Sequence, residues 1–243
     1  MSSEQLSKSE QQLPDAAKIE VRTTADGSPT LYVPALDEHY HSTHGAAQES
    51  RHVFMAAGLQ PLLGAGLGQT QPLQVLEVGL GTGLNALLTL EAAAAAGAHI
   101  VYDGYETYPL SSEAVAALRP QWQQQPELVQ AFDALHAAAW NNAFILHNYL
   151  FINKIQKQIQ VAPLPAKYYD LIYFDAFAPE KQPELWTEEV FAKLYAAAAP
   201  GAVLVSYCAQ GQFRRNLRAA GWLTEKLPGP PGKREMTRAR KSA

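Results

Sequence analysis

The chain has 243 residues, a net charge of −4 and a single cysteine, Cys208. That length suits one sizeable α/β domain with additions and is short for two enzymatic domains. One cysteine excludes an intrachain disulfide and a cysteine-ligated metal cluster. No apolar run approaches a membrane span and residues 1–12 lack a secretion signal, so a soluble cytoplasmic protein is expected.

Residues 1–17 are rich in Ser, Gln, Glu and Lys, the composition of a disordered tail. Residues 19–23 alternate as a strand does, Asp26-Gly27 is a turn signal, and residues 31–33 make a return strand ended by Pro34. A His/Tyr-rich loop spans 37–45, a helix is expected over 46–59, and a Gly-rich connection covers 64–71. Residues 18–71 therefore read as a β-hairpin and substrate-side extension. The spacing His39-x-His41-x-x-His44 invites a zinc reading, but zinc needs four converging ligands and no obvious fourth is present. A place in the substrate pocket or in loop hydrogen bonds suits these histidines better.

From residue 72 to 240 the pattern alternates strand and helix. Strands are expected near 73–78, 99–105, 157–161, 169–175, 201–207, 222–227 and 233–239. Helices are expected near 83–96, 111–119, 127–138, 187–199 and 211–220. Such alternation predicts a Rossmann-like α/β domain, its seven-stranded, mostly parallel sheet covered by helices on both faces. Residues 140–160 break the pattern in composition.

The run Val75-Leu76-Glu77-Val78-Gly79-Leu80-Gly81-Thr82-Gly83-Leu84 joins an apolar strand to a helical pattern through three alternate glycines. Glycines let backbone approach a ligand closely, and the following helix presents free N–H groups. A dinucleotide fingerprint would place glycine at 84, where Leu84 stands. The observed E-x-G-x-G-x-G resembles motif I of S-adenosylmethionine-dependent methyltransferases. Glu77, Gly79, Gly81, Gly83 and Asn85 are expected to form the cofactor site. Glu106 closes the second core strand, where a carboxylate can accept hydrogen bonds from two ribose hydroxyls. Asp175 ends the apolar run Leu171-Ile172-Tyr173-Phe174; an acid at a strand tip is costly unless partnered, and Asp175 is the leading candidate for both chemistry and cofactor contact.

A more specific resemblance follows. Asp175-Ala176-Phe177-Ala178-Pro179-Glu180-Lys181-Gln182-Pro183-Glu184-Leu185-Trp186-Thr187 is similar to the D-[GA]-F-A-P-x-K-x-P-x-[LM]-W-[ST] signature of the MnmC-type tRNA methyltransferases. Lys233-Arg234-Glu235-Met236 matches the KREM motif of that family, and Tyr40-His41-Ser42-Thr43-His44-Gly45 with Glu49-Ser50-Arg51-His52-Val53-Phe54 resembles its segment ahead of motif I. The similarity spans residues 37–238. It implies a class I methyltransferase fold, S-adenosyl-L-methionine as cofactor and no metal. The implied reaction is N-methylation of 5-aminomethyl-(2-thio)uridine at wobble position 34 of tRNA. It implies a catalytic loop of Asp175, Phe177 and Pro179, and a substrate side that includes His41, His44 and Lys181. Family members carry this domain alone or fused to a flavin-dependent oxidase. The chain resembles the stand-alone, MnmD-type form, which implies a separate enzyme supplying the aminomethyl precursor.

Residues 212–243 carry +7, leaving −11 for the rest. Arg214, Arg215, Lys233 and Arg234 are candidates for tRNA phosphate contacts, against the alternative of a solvated helix face and a frayed tail. Members of the wider class often place an acid after the third strand to read adenine. Residues 140–160 contain none, which leaves Asn148, Asn153 or backbone groups. Cys208 reads as a small core or near-site residue, Trp186 as core, and Phe177 as a pocket aromatic able to stack on a splayed base. Two other functions remain open. One is an aminopropyltransferase of the spermidine-synthase type acting on a small amine; the other is a noncatalytic cofactor- or RNA-binding module.

Overall fold

The computed structural model describes residues 19–23, 27, 29–34, 37–40 and 45–242. The expected tail over 1–17, Asp26 of the turn signal, and the candidate residues His41 and His44 lie outside the described residues.

The described residues form two sheets. The smaller is antiparallel, with β1 (Glu20–Thr23), β2 (Pro29–Val33) and β3 (Glu38–His39) in that order. The larger comprises β4 (Leu73–Val78), β5 (Ile100–Glu106), β6 (Asn142–His147), β7 (Leu150–Gln156), β8 (Tyr169–Phe174), β9 (Ala198–Ser206), β10 (Leu223–Pro228) and β11 (Glu235–Arg240). Its order is β10-β11-β9-β8-β4-β5-β7-β6. The five strands from β9 to β7 pair in parallel. Central β4 and β8 are near-continuous apolar runs because helices cover both of their faces.

The sheet has eight strands where seven are expected. The eighth, β6, comes from the 140–160 segment and pairs antiparallel with β7 at the edge. The strand expected at 157–161 lies instead at 150–156, and 157–161 forms a turn. The polar pair Asn153-Lys154 hides the alternation. Lys154 is nonetheless buried, since its ammonium bonds Leu135 O at 2.6 Å and sits 4.8 Å from the Trp140 ring.

The helix expected over 46–59 runs on to residue 64, as α1 (Ala46–Ser50), a π-helical stretch (Arg51–Leu59) and α2 (Gln60–Gly64). Gly58 lets it lie against β9: a Cβ there would meet Val205 Cγ2 at 3.0 Å. The remaining helices are α3 (Leu84–Ala96), α4 (Ser112–Leu118), α5 (Pro126–Ala137), α6 (Glu188–Ala197) and α7 (Gly211–Ala219). Ser111 and Thr187 cap α4 and α6 by accepting the Ala114 and Val190 N–H groups. One core packs α3, α5 and the 46–64 helix on the sheet; the other, rich in Phe174, Trp186, Phe191, Phe213 and Trp222, lies under α6 and α7.

From β4 the order runs to β5 and β7 on one side and to β8 and β9 on the other. A crevice therefore opens beyond the carboxyl ends of β4 and β8. Val78 pairs with Phe174, so Gly79 and Asp175 leave the sheet side by side.

Candidate active site

The glycine loop is pinned at both ends. Gly79 and Leu80 donate N–H bonds to Tyr105 O at 2.9 and 3.0 Å. The Gly81 and Tyr108 N–H groups donate to the two oxygens of Glu106 at 3.0 and 2.9 Å. Each oxygen keeps a lone pair for another donor. Burial raises the Glu106 pKa, and the Tyr108, Gly81 and Thr107 N–H groups pull it back. His136 Nε2 donates to Thr82 O at 3.2 Å, and burial lowers this imidazole to about 4, which keeps it neutral. His136 braces the loop from α5, a role the sequence does not signal.

Glu106→Ala is expected to weaken donor binding by tenfold or more, at about 1.5–3 kcal/mol per hydrogen bond to a charged group. Calorimetric titration with S-adenosyl-L-methionine checks it; wild-type affinity would remove Glu106 from the site.

Behind the loop, Asn85 joins two carboxyl groups. Its Nδ2 donates to Glu77 Oε1 and to Asp175 Oδ2, both at 2.8 Å. Tyr102 OH donates to the other Glu77 oxygen at 2.7 Å. Glu77 is 0 % exposed. Of the expected cofactor residues, it therefore acts through Asn85 and has no surface toward the crevice. Burial drives the Glu77 pKa up, against the Tyr102 hydrogen bond. Asp175 is pushed up to about 7, first by burial and then by the negative charge of Glu49; the Asn85 bond and the Lys233 charge oppose this.

The loop after β8 is held by its own motif. Gln182 Oε1 accepts the Phe177 N–H at 3.0 Å, and Trp186 Nε1 donates to Phe177 O at 2.9 Å. Lys181 and Gln182 N–H groups both reach Ala178 O. Trp186 also packs edge-on to Phe174 and Phe213, so it is core and pin at once. The Phe177 ring stands edge-to-face with Tyr40 at 5.0 Å. Tyr40 also covers Gly81, where a Cβ would lie 3.2 Å from its ring. The Lys181 charge reaches Asp37, whose carboxyl is held low first by the Tyr32 hydroxyl.

Along the loop that follows Asp175 lies a cavity of about 530 Å³ lined by Ala178, Pro179, Tyr207, Cys208, Lys233 and Arg234, among others. Tyr207 OH donates to Ala176 O at 2.8 Å. Burial pushes the Cys208 thiol up to about 11, so it carries no thiolate near neutral pH. Tyr207, which contributes to this wall, carries no motif that flags it, whereas Glu49, the partner of Lys233, lies in the family-like segment ahead of motif I.

The basic C-terminal stretch is mostly consumed inside the fold. Arg214 is 7 % exposed and bonds Thr237 Oγ1, Glu235 Oε2 and Met236 O. Glu225 takes Arg238 and Arg240, and Lys241 caps Tyr195 O and Ala198 O. Lys233 pairs with Glu49 and lies 4.3 Å from the Tyr207 ring centre. The expected phosphate contacts at Arg214 and Lys233 are therefore replaced by a structural tie and a cavity-wall cation. Arg215 and Arg234 remain exposed. Arg214→Ala is expected to cost about 2–3 kcal/mol of stability in denaturant unfolding, for a broken buried charge network, and to leave RNA affinity alone. Wild-type stability with weakened RNA binding would reverse that assignment.

The adenine side also needs correction. Asn148 sits in the β6–β7 turn, at the opposite end of the sheet from Glu106, and Asn153 hydrogen-bonds Asp103 mid-strand. The tip of the third parallel strand is Gln156, whose N–H is held by Asn141 Oδ1 at 3.0 Å. Gln156, Lys157 and Gln158 are the exposed groups there.

Residues 112–242 match the model of an S-adenosyl-L-methionine-dependent methyltransferase family. The chain is 33% identical over 227 residues to the tRNA 5-methylaminomethyl-2-thiouridine biosynthesis bifunctional protein MnmC of Cupriavidus necator, covering 88% of this chain and 33% of that protein. The protein of the same name from Magnetococcus marinus is 33% identical over 247 residues, covering 95% and 35%. The chain thus spans about a third of the length of the curated relatives it matches. Among solved structures, MNMC2 from Aquifex aeolicus superposes with a TM-score of 0.74 at 22% identity, over 93% of this chain and 71% of that one. Spermidine synthase from Thermotoga maritima superposes at 0.54 with 13% identity, over 92% and 68%. Both show a shared fold. With a pinned glycine loop, a carboxylate at the end of β5 and more than half of its length matched by the family model, the chain belongs to the S-adenosyl-L-methionine-dependent methyltransferases.

Proposed function

We propose that this protein transfers a methyl group from S-adenosyl-L-methionine to the primary amine of a 5-aminomethyl-(2-thio)uridine at the tRNA wobble position, giving 5-methylaminomethyl-(2-thio)uridine. The observation that carries it is Asp175, a half-buried carboxyl held by Asn85 against the glycine loop. The names of the relatives supply the substrate class.

The residues fit the donor. Gly79 lets the glycine loop lie against the Asp175 backbone, and Glu106 offers acceptor lone pairs for ribose hydroxyls. Asn85 Oδ1 is buried without a partner among the described residues, an acceptor suited to the ammonium of the methionine part. When bound, S-adenosyl-L-methionine supplies a methyl group already activated on a sulfonium. Asp175 orients the amine lone pair and receives the proton the nitrogen sheds on methylation. Phe177 and Tyr40 wall the crevice against water, and most of the acceleration comes from alignment. In this reading residues 18–71 form the acceptor-side extension and 72–240 the transferase domain, working in the cytoplasm.

The test is incubation with labelled donor and tRNA from cells lacking this methylation, followed by nucleoside mass spectrometry. One methyl gained on aminomethyl-(thio)uridine is expected; none, with donor still bound, would move the search to small amines. Arg215 and Arg234 carry the phosphate contacts in this reading. Changing both to Gln is expected to reduce the salt slope of tRNA binding by about 0.9 for each phosphate left unneutralised. An unchanged slope would place the RNA on another face.

A further inference from the structure

Glu49 and Lys233 lie 184 residues apart, one on α1 and one ahead of β11, yet their side chains pair, and Lys233 lines the cavity. Their side chains are 11 % and 35 % exposed. A carboxylate so little exposed needs a partner, and Lys233 is the partner it has. Lys233 is itself fixed over the Tyr207 ring, and Tyr207 is tied to Ala176 O, next to Asp175. The cation is thus anchored at the site by three elements that the sequence keeps apart.

We propose that the Glu49–Lys233 pair is the charge-setting wall of the methyl-acceptor pocket and sets how readily Asp175 takes the proton that the acceptor amine sheds. The proposal rests on the amine reading above. The Glu49 carboxylate strengthens the hold of Asp175 on a proton and the Lys233 ammonium weakens it, so removing either member alone shifts that hold. The amine lone pair forms the new N–C bond while the methyl–sulfur bond breaks, its electrons staying on sulfur. The positive charge passes from sulfur to nitrogen, and the N–H proton goes to the Asp175 carboxylate, which later releases it to water. Glu49 balances Lys233, so the pocket with Asp175 ionised holds one net negative charge to receive that proton.

Asp175 is faced by Glu77 and Tyr102 from below, Asn85 from α3, Glu49 from α1, Lys233 from the segment before β11, and Tyr207 after β9. Among these, Glu49 raises and Lys233 lowers the proton affinity of Asp175. Glu49→Gln and Lys233→Gln should therefore move the Asp175 titration in opposite directions, down and up, by about one pH unit each. The measurement is carbon-13 NMR of the Asp175 carboxyl in the protein alone, with pH profiles of kcat/KM on aminomethyl tRNA alongside. Lys233→Arg keeps the charge and is expected to restore the wild-type midpoint; with Lys233→Gln it decides the matter even if the Glu49 variant does not fold. Midpoints that stay put, or move together, would overturn the proposal. If the wild-type protein methylates no RNA amine, the amine reading falls; if it does and the midpoints do not split, only the charge-setting role falls.

Discussion

Asp175→Asn is expected to reduce methyl transfer by about a hundredfold to ten-thousandfold, the range for loss of a positioned proton acceptor. Asn is nearly the same shape, and its carbonyl oxygen still accepts the Asn85 N–H that now reaches Asp175 at 2.8 Å. The loop and the donor site therefore stay in place, and donor affinity measured by calorimetry should not change. What disappears is the carboxylate that takes the proton in the proposed reaction. A variant retaining wild-type turnover would remove Asp175 from the chemistry.

The pH profile gives a second signature. Burial, with help from Glu49, lifts the Asp175 carboxyl to about 7. The ionised form is the one that accepts a proton, so turnover rises as pH climbs through about 7. At pH 6 roughly nine-tenths of the sites would hold a proton and be idle, from a midpoint one unit higher. In Asp175→Asn that limb is absent. The residual rate then follows the ionisation of the amine alone.

Much of this was legible in the residues. The apolar strands around β4 and β8, and the helices expected near 111–119 and 187–199, follow rules of short range. So does the acid at the end of each central strand. The edge of the sheet was not legible, because Lys154 is polar in sequence yet buried by a helix terminus and an indole that only the fold supplies. Charge was the least legible quantity. Nine basic residues over 212–243 look like a nucleic-acid face, but Arg214, Arg238 and Arg240 find acids across β10, β11 and α7. Lys233 finds Glu49 from the far end of the chain. Pairing between distant elements is set by tertiary structure, and no local window contains it.

Gly79→Ala is the substitution expected to damage the site most through the backbone alone. Gly79 adopts φ +90, a region costing an L-residue about 1–2 kcal/mol. Its added Cβ would fall 2.5 Å from Asp175 O and 3.1 Å from Asp175 C. Neither segment can yield cheaply. Gly79 is anchored to Tyr105 O, and Asp175 N–H is anchored to Val78 O at 2.9 Å. Relieving the clash forces a backbone shift, at about 1–3 kcal/mol more. At Gly81, by contrast, the Cβ would press on the Tyr40 ring at 3.2 Å, a side chain that can turn, and would touch Gly79 O at an ordinary 3.9 Å. Gly97 is the control: it has φ +64 but nothing within 4 Å of an added Cβ. Gly97→Ala should lose only the conformational share of stability and bind donor normally. Gly79→Ala should lose more stability, bind donor at least tenfold more weakly by calorimetry, about 1.4 kcal/mol, and lose turnover because Asp175 moves with its carbonyl. Equal losses in the two variants, with donor binding intact in both, would mean that the approach of Gly79 to the β8 loop is incidental. Unequal losses would mean that the two strand tips are built as one unit, in which the loop that cradles the donor also fixes the proton acceptor.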